Sequence, residues 1–223
     1  AMAKTAREGG ALTIALTNTP DSPLAETSDH AIDIAAGPEL SVAATKTFVN
    51  SAVAGLAILA RWTRDDELSA ALAALPGHLE KAVACDWSSF ADAAAKETSL
   101  FVLGRGPSLA IANEVALKFK ETCSIHAEAY SAAEVMHGPL ALVGPGFPVL
   151  VLAARDQSEA SVVQCADGLA ARDAAVFATS DRVRSAISLP FVATGHRLTD
   201  PLALVASFYS FIEAFALRRG LNP

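Results

Sequence analysis

Three charged residues have a spacing that could build a proton-transfer site. Glu114, Lys118 and Glu121 are four and three residues apart, so a helix would place them on one face, close enough to form ion pairs. Such a row is usually a set of solvated ion pairs. Here the remaining positions of the segment are rich in apolar residues, which predicts packing on the other side. A polar pocket in which a carboxylate moves a proton is therefore the alternative interpretation.

A glycine-containing turn precedes this segment. Gly104-Arg105-Gly106 separates a predicted strand from the predicted helix, and such a turn presents backbone N–H groups and a helix dipole that suit an anion. The third glycine and the acidic residue of a dinucleotide-binding fingerprint are absent, so the signal is weak. A tight turn that needs glycine for its backbone explains the pattern at least as well.

Two further polar patterns follow the predicted helix. His126, Glu128 and Tyr130 alternate, which predicts an extended segment with one polar face that either shapes a pocket or lines a subunit contact. Glu134 and His137 are three residues apart and could share one side of a helical turn, where a histidine beside a carboxylate is a common acid–base device. A lone histidine is more often structural, and this pair lacks the third ligand of a zinc site. Together the patterns indicate proton transfer on a small anionic substrate.

The elements around these residues alternate between strand-like and helix-like segments. This order predicts an α/β fold with a mostly parallel sheet that is covered on both faces. The predicted strands are 12–16, 31–35, 100–103, 149–153, 174–178 and 186–189. The predicted helices are 2–9, a long one that Gly37-Pro38-Glu39 opens and that runs to about residue 62, 67–75, 79–84, 108–123, 158–169 and 200–219.

The two ends of the chain have the same order of predicted elements. Helix, strand, turn, strand, glycine and long helix occur in 2–62 and again in 158–219, which is a weak internal duplication. The second copy is preceded by 99–157, with a strand and the glycine-containing turn, whereas the first copy has no such front half. We therefore expect two domains, 1–75 and 76–223, the first without its N-terminal half. One larger sheet that includes 2–62 is the alternative.

Composition excludes several classes of protein. Of 223 residues, 52% are hydrophobic and 18% are charged, which is enough for a large core and excludes a disordered chain. The net charge of −7, without a basic patch, argues against a nucleic-acid partner. The longest apolar run, 52–60, is too short to span a membrane, and the first ten residues lack the apolar core of a secretory signal. Three widely spaced cysteines without a CxxC pair favour a reducing compartment, so we expect a cytoplasmic protein.

Two longer motifs resemble a known family. The run LFVLGRGPSLAIANEVALKFKETCSIHAEAYSAAEVMHGPLALV, residues 100–143, resembles the second SIS (sugar isomerase) domain of the phosphosugar isomerases and deaminases, a family that includes the isomerase half of glucosamine-6-phosphate synthase. The run AGPELSVAATKTFVN, residues 36–50, resembles the end of the first SIS domain of the same enzymes. The resemblance implies two flavodoxin-like, doubly wound SIS domains in tandem that act on a hexose 6-phosphate which carries, gains or loses an amino group.

The resemblance also implies roles for individual residues. Glu121, in the ALKxKE motif, would move the proton between C1 and C2 of the opened sugar, and Lys118 would be a polar contact in the same site. His137, in the HGP motif, would come from the neighbouring subunit and assist ring opening, which implies a homodimer with shared active sites. Val42 and Ala44 would contact the sugar. No cofactor and no metal are implied.

The chain departs from the family pattern in ways that bear on function. Ala44 has no hydroxyl where the family has serine, so one hydrogen bond to the sugar is missing. The family's phosphate loop belongs to the half of the first domain that we expect to be absent, and neither the C-terminal lysine nor a glutaminase domain is found. A stand-alone isomerase or deaminase is favoured over a synthase. An aminotransferase-like activity with external ammonia, a non-catalytic phosphosugar sensor and an oligomerisation domain are the alternatives.

Overall fold

The computed structural model describes residues 2–223, which divide into two compact units, one that ends at Leu72 and one that spans Ala73–Pro223. The helices are α1 (Met2–Glu8), α2 (Pro23–Thr27), α3 (Lys46–Thr63), α4 (Asp66–Ala82), α5 (Ser88–Ala94), α6 (Pro107–Cys123), α7 (Glu159–Ala170) and α8 (Asp200–Arg218). The strands are β1 (Ile14–Thr17), β2 (His30–Asp33), β3 (Ser99–Gly104), β4 (His126–Ser131), β5 (Pro148–Val151), β6 (Ala175–Ala178) and β7 (Ile187–Ser188).

The first unit contains a two-stranded parallel sheet, in which β1 pairs with β2 and α2 lies between them in the chain. The carboxylate of Asp29, just before β2, accepts hydrogen bonds from the backbone N–H and the hydroxyl of Thr13 at 2.9 and 2.8 Å. These bonds, with Arg7 3.0 Å away, lower the pKa of Asp29. Both predicted strands exist, but they are short; β1 contains one buried residue, Ala15, and β2 contains none.

The predicted start of the long helix at residues 37–39 is wrong, because α3 begins at Lys46. One oxygen of Glu39 accepts hydrogen bonds from the backbone N–H of Thr45 at 3.1 Å and of Thr47 at 2.8 Å. The carboxylate therefore caps α3 across a loop, and the N–H of Thr47 is the main reason why the pKa of Glu39 is lowered. Glu39 therefore does lie at the positive end of α3, but the helix starts later than the sequence predicts.

A second correction concerns α4, which is one helix although two helices were predicted on either side of Pro76-Gly77. Pro76 lies inside it and cannot donate to the carbonyl of Leu72, which is the reason for expecting a break. The helix nevertheless continues to Ala82. The short helix α5 was not predicted, although it carries the fully buried Phe90.

The second unit contains a five-stranded sheet in which all neighbouring strands are parallel, in the order β4-β3-β5-β6-β7. This confirms the predicted parallel α/β sheet. The chain leaves β3 toward β4 on one side and returns to β5 on the other, so β3 and β5 flank the point at which the order of the strands reverses. Ligands of open α/β sheets bind at the carboxyl ends of the strands beside such a point.

Both faces of this sheet are covered, as predicted. One face packs against α7 through alternate strand residues such as Phe101, Val149 and Val176, which meet Val162 and Leu169 of the helix. The opposite face packs against α5, α6 and α8 through a cluster of aromatic rings 5.3–6.3 Å apart: Phe90, Phe119, Phe177, Phe208, Phe211 and Phe215. This second layer fixes the face of α6 that is directed at α8.

Among the described residues, one helix is long and apolar enough to cross a membrane by these two criteria alone. It is α8, and 72% of its most apolar window is buried inside the protein, as in the core helix of a globular domain.

Candidate active site

The helix that carries the three charged residues starts from a turn that requires glycine. A Cβ on Gly104 would lie 2.4 Å from the carbonyl oxygen of Ser108, so no larger residue fits without a backbone shift. Gly106 has a positive φ of 58°, and Pro107 occupies the first helical position. The tight-turn interpretation of Gly104-Arg105-Gly106 thus has direct structural support.

Glu114, Lys118 and Glu121, which we call the α6 cluster, are joined by ion pairs. The Lys118 ammonium donates to Oε2 of Glu121 at 2.7 Å, and its Nζ lies 3.3 Å from Oε1 of Glu114. The exposed fractions of the side chains are 5% for Lys118, 8% for Glu114 and 27% for Glu121. The interpretation as a row of solvated ion pairs is therefore wrong, and the shared helix face is confirmed.

A tyrosine from α8 completes this group. The hydroxyl of Tyr209 donates to Oε1 of Glu114 at 2.7 Å. Tyr209 was not among the predicted site residues, since an isolated tyrosine in an apolar helix belongs to no motif. A usable signal was present: Tyr209 interrupts the apolar run of α8, and a buried tyrosine hydroxyl usually finds a partner.

The two carboxylates of the α6 cluster differ in how easily a solute can reach them. Glu114 is enclosed between Lys118 and Tyr209, so it cannot easily meet a solute. Glu121 is more exposed, and one of its oxygens is already bound by an ammonium. A carboxylate that a solute can approach and a cation hidden behind it form an arrangement that can accept a proton and stabilise nearby negative charge.

His126, Glu128 and Tyr130, which we call the β4 cluster, lie on the edge strand of the sheet. Nε2 of His126 is 3.6 Å from Oε1 of Glu128, and the Tyr130 hydroxyl donates to Oε2 of Glu128. This hydrogen bond is the main reason why the pKa of Tyr130 is raised. The predicted extended segment with one polar face is confirmed. Its side chains pair with one another at the surface, with 70% of His126 and 41% of Glu128 exposed.

Glu134 and His137 lie in the turn that follows β4. The backbone N–H of His137 donates to the carbonyl of Glu134 at 3.0 Å, so the pair does occupy one helical turn, and both residues are exposed. Pro139 does not simply end it but begins a short 3₁₀ helix, Pro139–Leu142. Within residues 2–223 of one chain, His137 forms no ion pair with Glu121.

The structure places Val42 and Ala44 in the first unit, in the loop that precedes α3. Val42 is 97% exposed, and Ala44 is half-buried. Neither side chain can form a hydrogen bond, so any contact with a solute would be apolar.

The family model described as "SIS domain" matches residues 1–61 and 94–219, which is most of the chain. The match includes the α6 cluster, the β4 cluster, His137, Val42 and Ala44. It leaves out all of α4 and all of α5 except its last residue, Ala94.

Several known proteins are similar over almost the whole chain. The glutamine–fructose-6-phosphate aminotransferase (isomerizing) of Aeropyrum pernix is 35% identical over 97% of this chain and 38% of its own length. A solved structure from Silicibacter pomeroyi DSS-3, provisionally named a phosphosugar isomerase, is 58% identical to this chain, with a TM-score of 0.97. The aligned region covers 100% of this chain and 68% of the solved one. The C-terminal domain of the glucosamine-fructose-6-phosphate aminotransferase of Francisella tularensis has a TM-score of 0.83 and 27% identity, over 100% of this chain and 69% of that one. The chain spans 25% to 39% of the length of the curated relatives that it matches.

Proposed function

Because this chain belongs to the SIS domain family, we propose that it is part of a phosphosugar isomerase or deaminase that moves a proton between C1 and C2 of an amino-sugar 6-phosphate. The observation that carries the proposal is the α6 cluster, in which a buried ammonium lies 2.7 Å from the accessible carboxylate of Glu121. The names of the relatives, which concern isomerases and enzymes of fructose 6-phosphate, support the substrate class.

The reaction that we propose for glucosamine 6-phosphate begins with ring opening, which His137 assists. Glu121 then removes the proton from C2, and the electron pair of the C–H bond forms the C1–C2 double bond of an enolamine, while the carbonyl electrons move to O1, which takes up a proton. The same carboxyl returns the proton to C1 as the amino nitrogen loses a proton, which leaves an imine at C2 and a hydroxyl at C1. Water hydrolyses the imine, so that glucosamine 6-phosphate and water give fructose 6-phosphate and ammonia. Lys118 stabilises the negative charge that develops near Glu121.

Substitution of Glu121 tests its role directly. Glucosamine 6-phosphate is supplied, and ammonia and fructose 6-phosphate are followed. Glu121→Gln should reduce turnover by about 10²–10⁴-fold, the usual contribution of a positioned acid or base, while substrate still raises the melting temperature. The control is Glu213→Gln, at an exposed glutamate on α8, which should keep wild-type turnover. Retained turnover in Glu121→Gln would remove the residue from this role.

We further propose a homodimer in which His137 of each chain serves the site of the other. In support, His137 is exposed and makes no ion pair with Glu121 of its own chain among the described residues. Mixed dimers of Glu121→Gln and His137→Ala would contain one intact site, so random mixing should restore about a quarter of wild-type turnover. Mixing Glu121→Gln with Lys118→Met is the control and should restore none, because each site keeps one defect. No restoration in the first mixture would contradict shared sites.

Val42 and Ala44 are proposed to contact the sugar, and Ala44 would do so without a hydrogen bond. We also propose that the two units are SIS domains, with 1–75 as the C-terminal part of the first and 76–223 as the second. The three cysteines are free, which supports placement in the reducing cytoplasm.

The competing function is a sensor that binds a phosphosugar without converting it. The α6 cluster favours catalysis, because a sensor has no need of a half-exposed carboxylate that is held by a buried ammonium. A phosphosugar that raises the melting temperature and is recovered unchanged would favour the sensor. An aminotransferase-like activity with external ammonia is the reverse of the same reaction, in which fructose 6-phosphate and ammonia give glucosamine 6-phosphate and water.

A further inference from the structure

The α6 cluster has one positive charge for two carboxylates, and all three side chains are at least partly withdrawn from water. A buried carboxylate without enough donors is costly, so a second donor is required. Tyr209 of α8 supplies it through its hydroxyl, 2.7 Å from Oε1 of Glu114. We propose that Tyr209 is a positioning residue: it satisfies Glu114 so that the Lys118 ammonium stays directed at Glu121. This inference rests on the proposed role of Glu121.

The distances within the α6 cluster show which carboxylate the Lys118 ammonium binds more closely. Tyr209 and Lys118 both approach the same oxygen of Glu114, the first at 2.7 Å and the second at 3.3 Å. Lys118 is closer to Glu121, at 2.7 Å. The ammonium is thus a hydrogen-bond donor to Glu121 and a more distant partner of Glu114. If the hydroxyl were removed, Oε1 of Glu114 would keep Lys118 as its near donor, and the two carboxylates would compete for one ammonium.

The tyrosine is held in place by packing rather than by polar contacts alone. Helices α6 and α8 are in contact through the aromatic layer, where the ring centroids of Phe119 and Phe208 are 5.3 Å apart. Phe208 is fully buried, and it fixes the turn of α8 from which Tyr209 projects. Tyr209→Phe would keep the ring and lose only the hydroxyl.

Other charged groups on the elements that pack against α6 are engaged elsewhere. Strand β3 carries no titratable side chain, and the β4 cluster pairs internally. The charged side chains of α8 lie elsewhere: Asp200 pairs with Arg155, Arg218 pairs with Asp92, and Glu213 is exposed. Arg219, directly after α8, donates to the carbonyl of Ala95. How well the Glu121 carboxylate is stabilised therefore depends on the hydrogen bonds and ion pairs within the α6 cluster and on the hydrogen bond from Tyr209.

The first test is the pH profile of kcat/KM with glucosamine 6-phosphate. Tyr209→Phe should move the midpoint of the acid limb to higher pH by about 0.5 unit, equivalent to roughly threefold in proton binding, because Lys118 is drawn toward Glu114. KM at the optimum should stay within about twofold, while kcat falls. Glu114→Gln should move the same limb to lower pH, because Lys118 then serves Glu121 alone. Shifts of opposite sign are the signature of competition, and a merely structural tyrosine would not produce them.

A second test needs no substrate. The carboxyl carbon of Glu121, labelled with ¹³C in the intact protein and assigned by its absence in Glu121→Gln, is titrated by NMR. Tyr209→Phe should raise the midpoint of this titration, and Glu114→Gln should lower it. The control is Tyr130→Phe, at the other tyrosine of the chain, which should leave the midpoint at the wild-type value.

The two tests separate the two ideas. If the wild-type protein shows no turnover but the NMR midpoints shift as expected, the proposed function fails and the role of Tyr209 stands. If turnover is present and Tyr209→Phe leaves both midpoints unchanged or lowers them, the positioning role is overturned. A loss of melting temperature alone, without a shifted midpoint, would also overturn it.

Discussion

The α6 cluster and the β4 cluster are neighbours in the chain and use similar chemical groups, yet their surroundings differ. In the α6 cluster, a lysine that is 5% exposed joins two carboxylates under the aromatic layer of α8. In the β4 cluster, a histidine that is 70% exposed and a tyrosine flank one carboxylate on the edge strand. Lys118 and Glu114 of the first group are withheld from water, whereas the second group is solvated.

This difference teaches that residue type and spacing do not by themselves identify a site. Charges in solvent are screened and contribute little, whereas the same charges in a protein interior interact strongly and must be paired. The α6 cluster is therefore the place where a carboxylate can be tuned for proton transfer. Four substitutions or pairs of substitutions test the comparison, from the largest expected effect to the smallest.

The largest effect is expected for Lys118→Met. The substitution keeps an apolar chain of similar length but leaves Glu114 and Glu121 without their cation. Breaking a buried ion pair typically lowers the free energy of unfolding by about 3–5 kcal/mol. Urea unfolding followed by circular dichroism measures the change.

The matched control for this loss is Lys120→Met, two residues along the same helix at an exposed position. Its change should lie within about 0.5 kcal/mol. Equal effects of the two substitutions would mean that the α6 cluster is not buried in solution, and the comparison with the β4 cluster would lose its basis.

The fold was largely predictable from the sequence. Alternating apolar strands and helices identified the parallel sheet, because burial on both faces leaves a clear pattern in segments such as Leu100–Leu103. Two predicted helix boundaries, at the start of α3 and in the middle of α4, were wrong for specific reasons. Glu39 caps α3 from across a loop, a non-local contact that no spacing rule contains. Pro76 is tolerated within α4 although local rules predict a break.

The site was predictable only in part. Spacing placed Glu114, Lys118 and Glu121 on one face, but the sequence could not say whether that face meets water or another helix. Tyr209 is 95 positions away from Glu114 in the chain, so their hydrogen bond depends on how α8 packs against α6. Tertiary packing, rather than local propensity, decides which of the polar patterns becomes a candidate site.

The second prediction tests whether the α6 cluster depends on the turn that starts its helix. Gly104→Ala would place a methyl group 2.4 Å from the carbonyl oxygen of Ser108, so the backbone must shift. We expect the free energy of unfolding to fall by about 1–3 kcal/mol, as for other overpacked sites. Loss of turnover should accompany this fall, because α6 positions Glu121.

The control is Gly168→Ala in α7, where a Cβ meets nothing within 4 Å. Alanine favours a helix over glycine, so this change should raise stability by up to about 1 kcal/mol. If thermal unfolding shows that both substitutions change stability in the same direction, the steric argument at Gly104 is refuted.

A smaller effect is expected for His126→Ala in the β4 cluster. The side chain is 70% exposed and lies 3.6 Å from Glu128, which is a loose surface contact. The free energy of unfolding should change by less than about 0.5 kcal/mol, in contrast to Lys118→Met. A loss of several kcal/mol in urea unfolding would show that the β4 cluster is covered in solution, for instance by a second subunit.

The smallest effect concerns the titration of Tyr130. Its hydroxyl donates to Glu128, and this bond raises the pKa of Tyr130 above its ordinary value. The folded protein therefore holds this proton more tightly than the unfolded chain does, so the associated stability is present below about pH 10 and is lost as the pH rises through the folded pKa. Glu128→Gln should return the pKa of Tyr130 toward its ordinary value, because the charged acceptor is gone. Absorbance at the tyrosinate band, recorded in a Tyr209→Phe background so that Tyr130 is the one tyrosine left, measures the shift. An unchanged titration would mean that the Tyr130–Glu128 hydrogen bond does not persist at the exposed edge, which would make the contrast with the enclosed α6 cluster still larger.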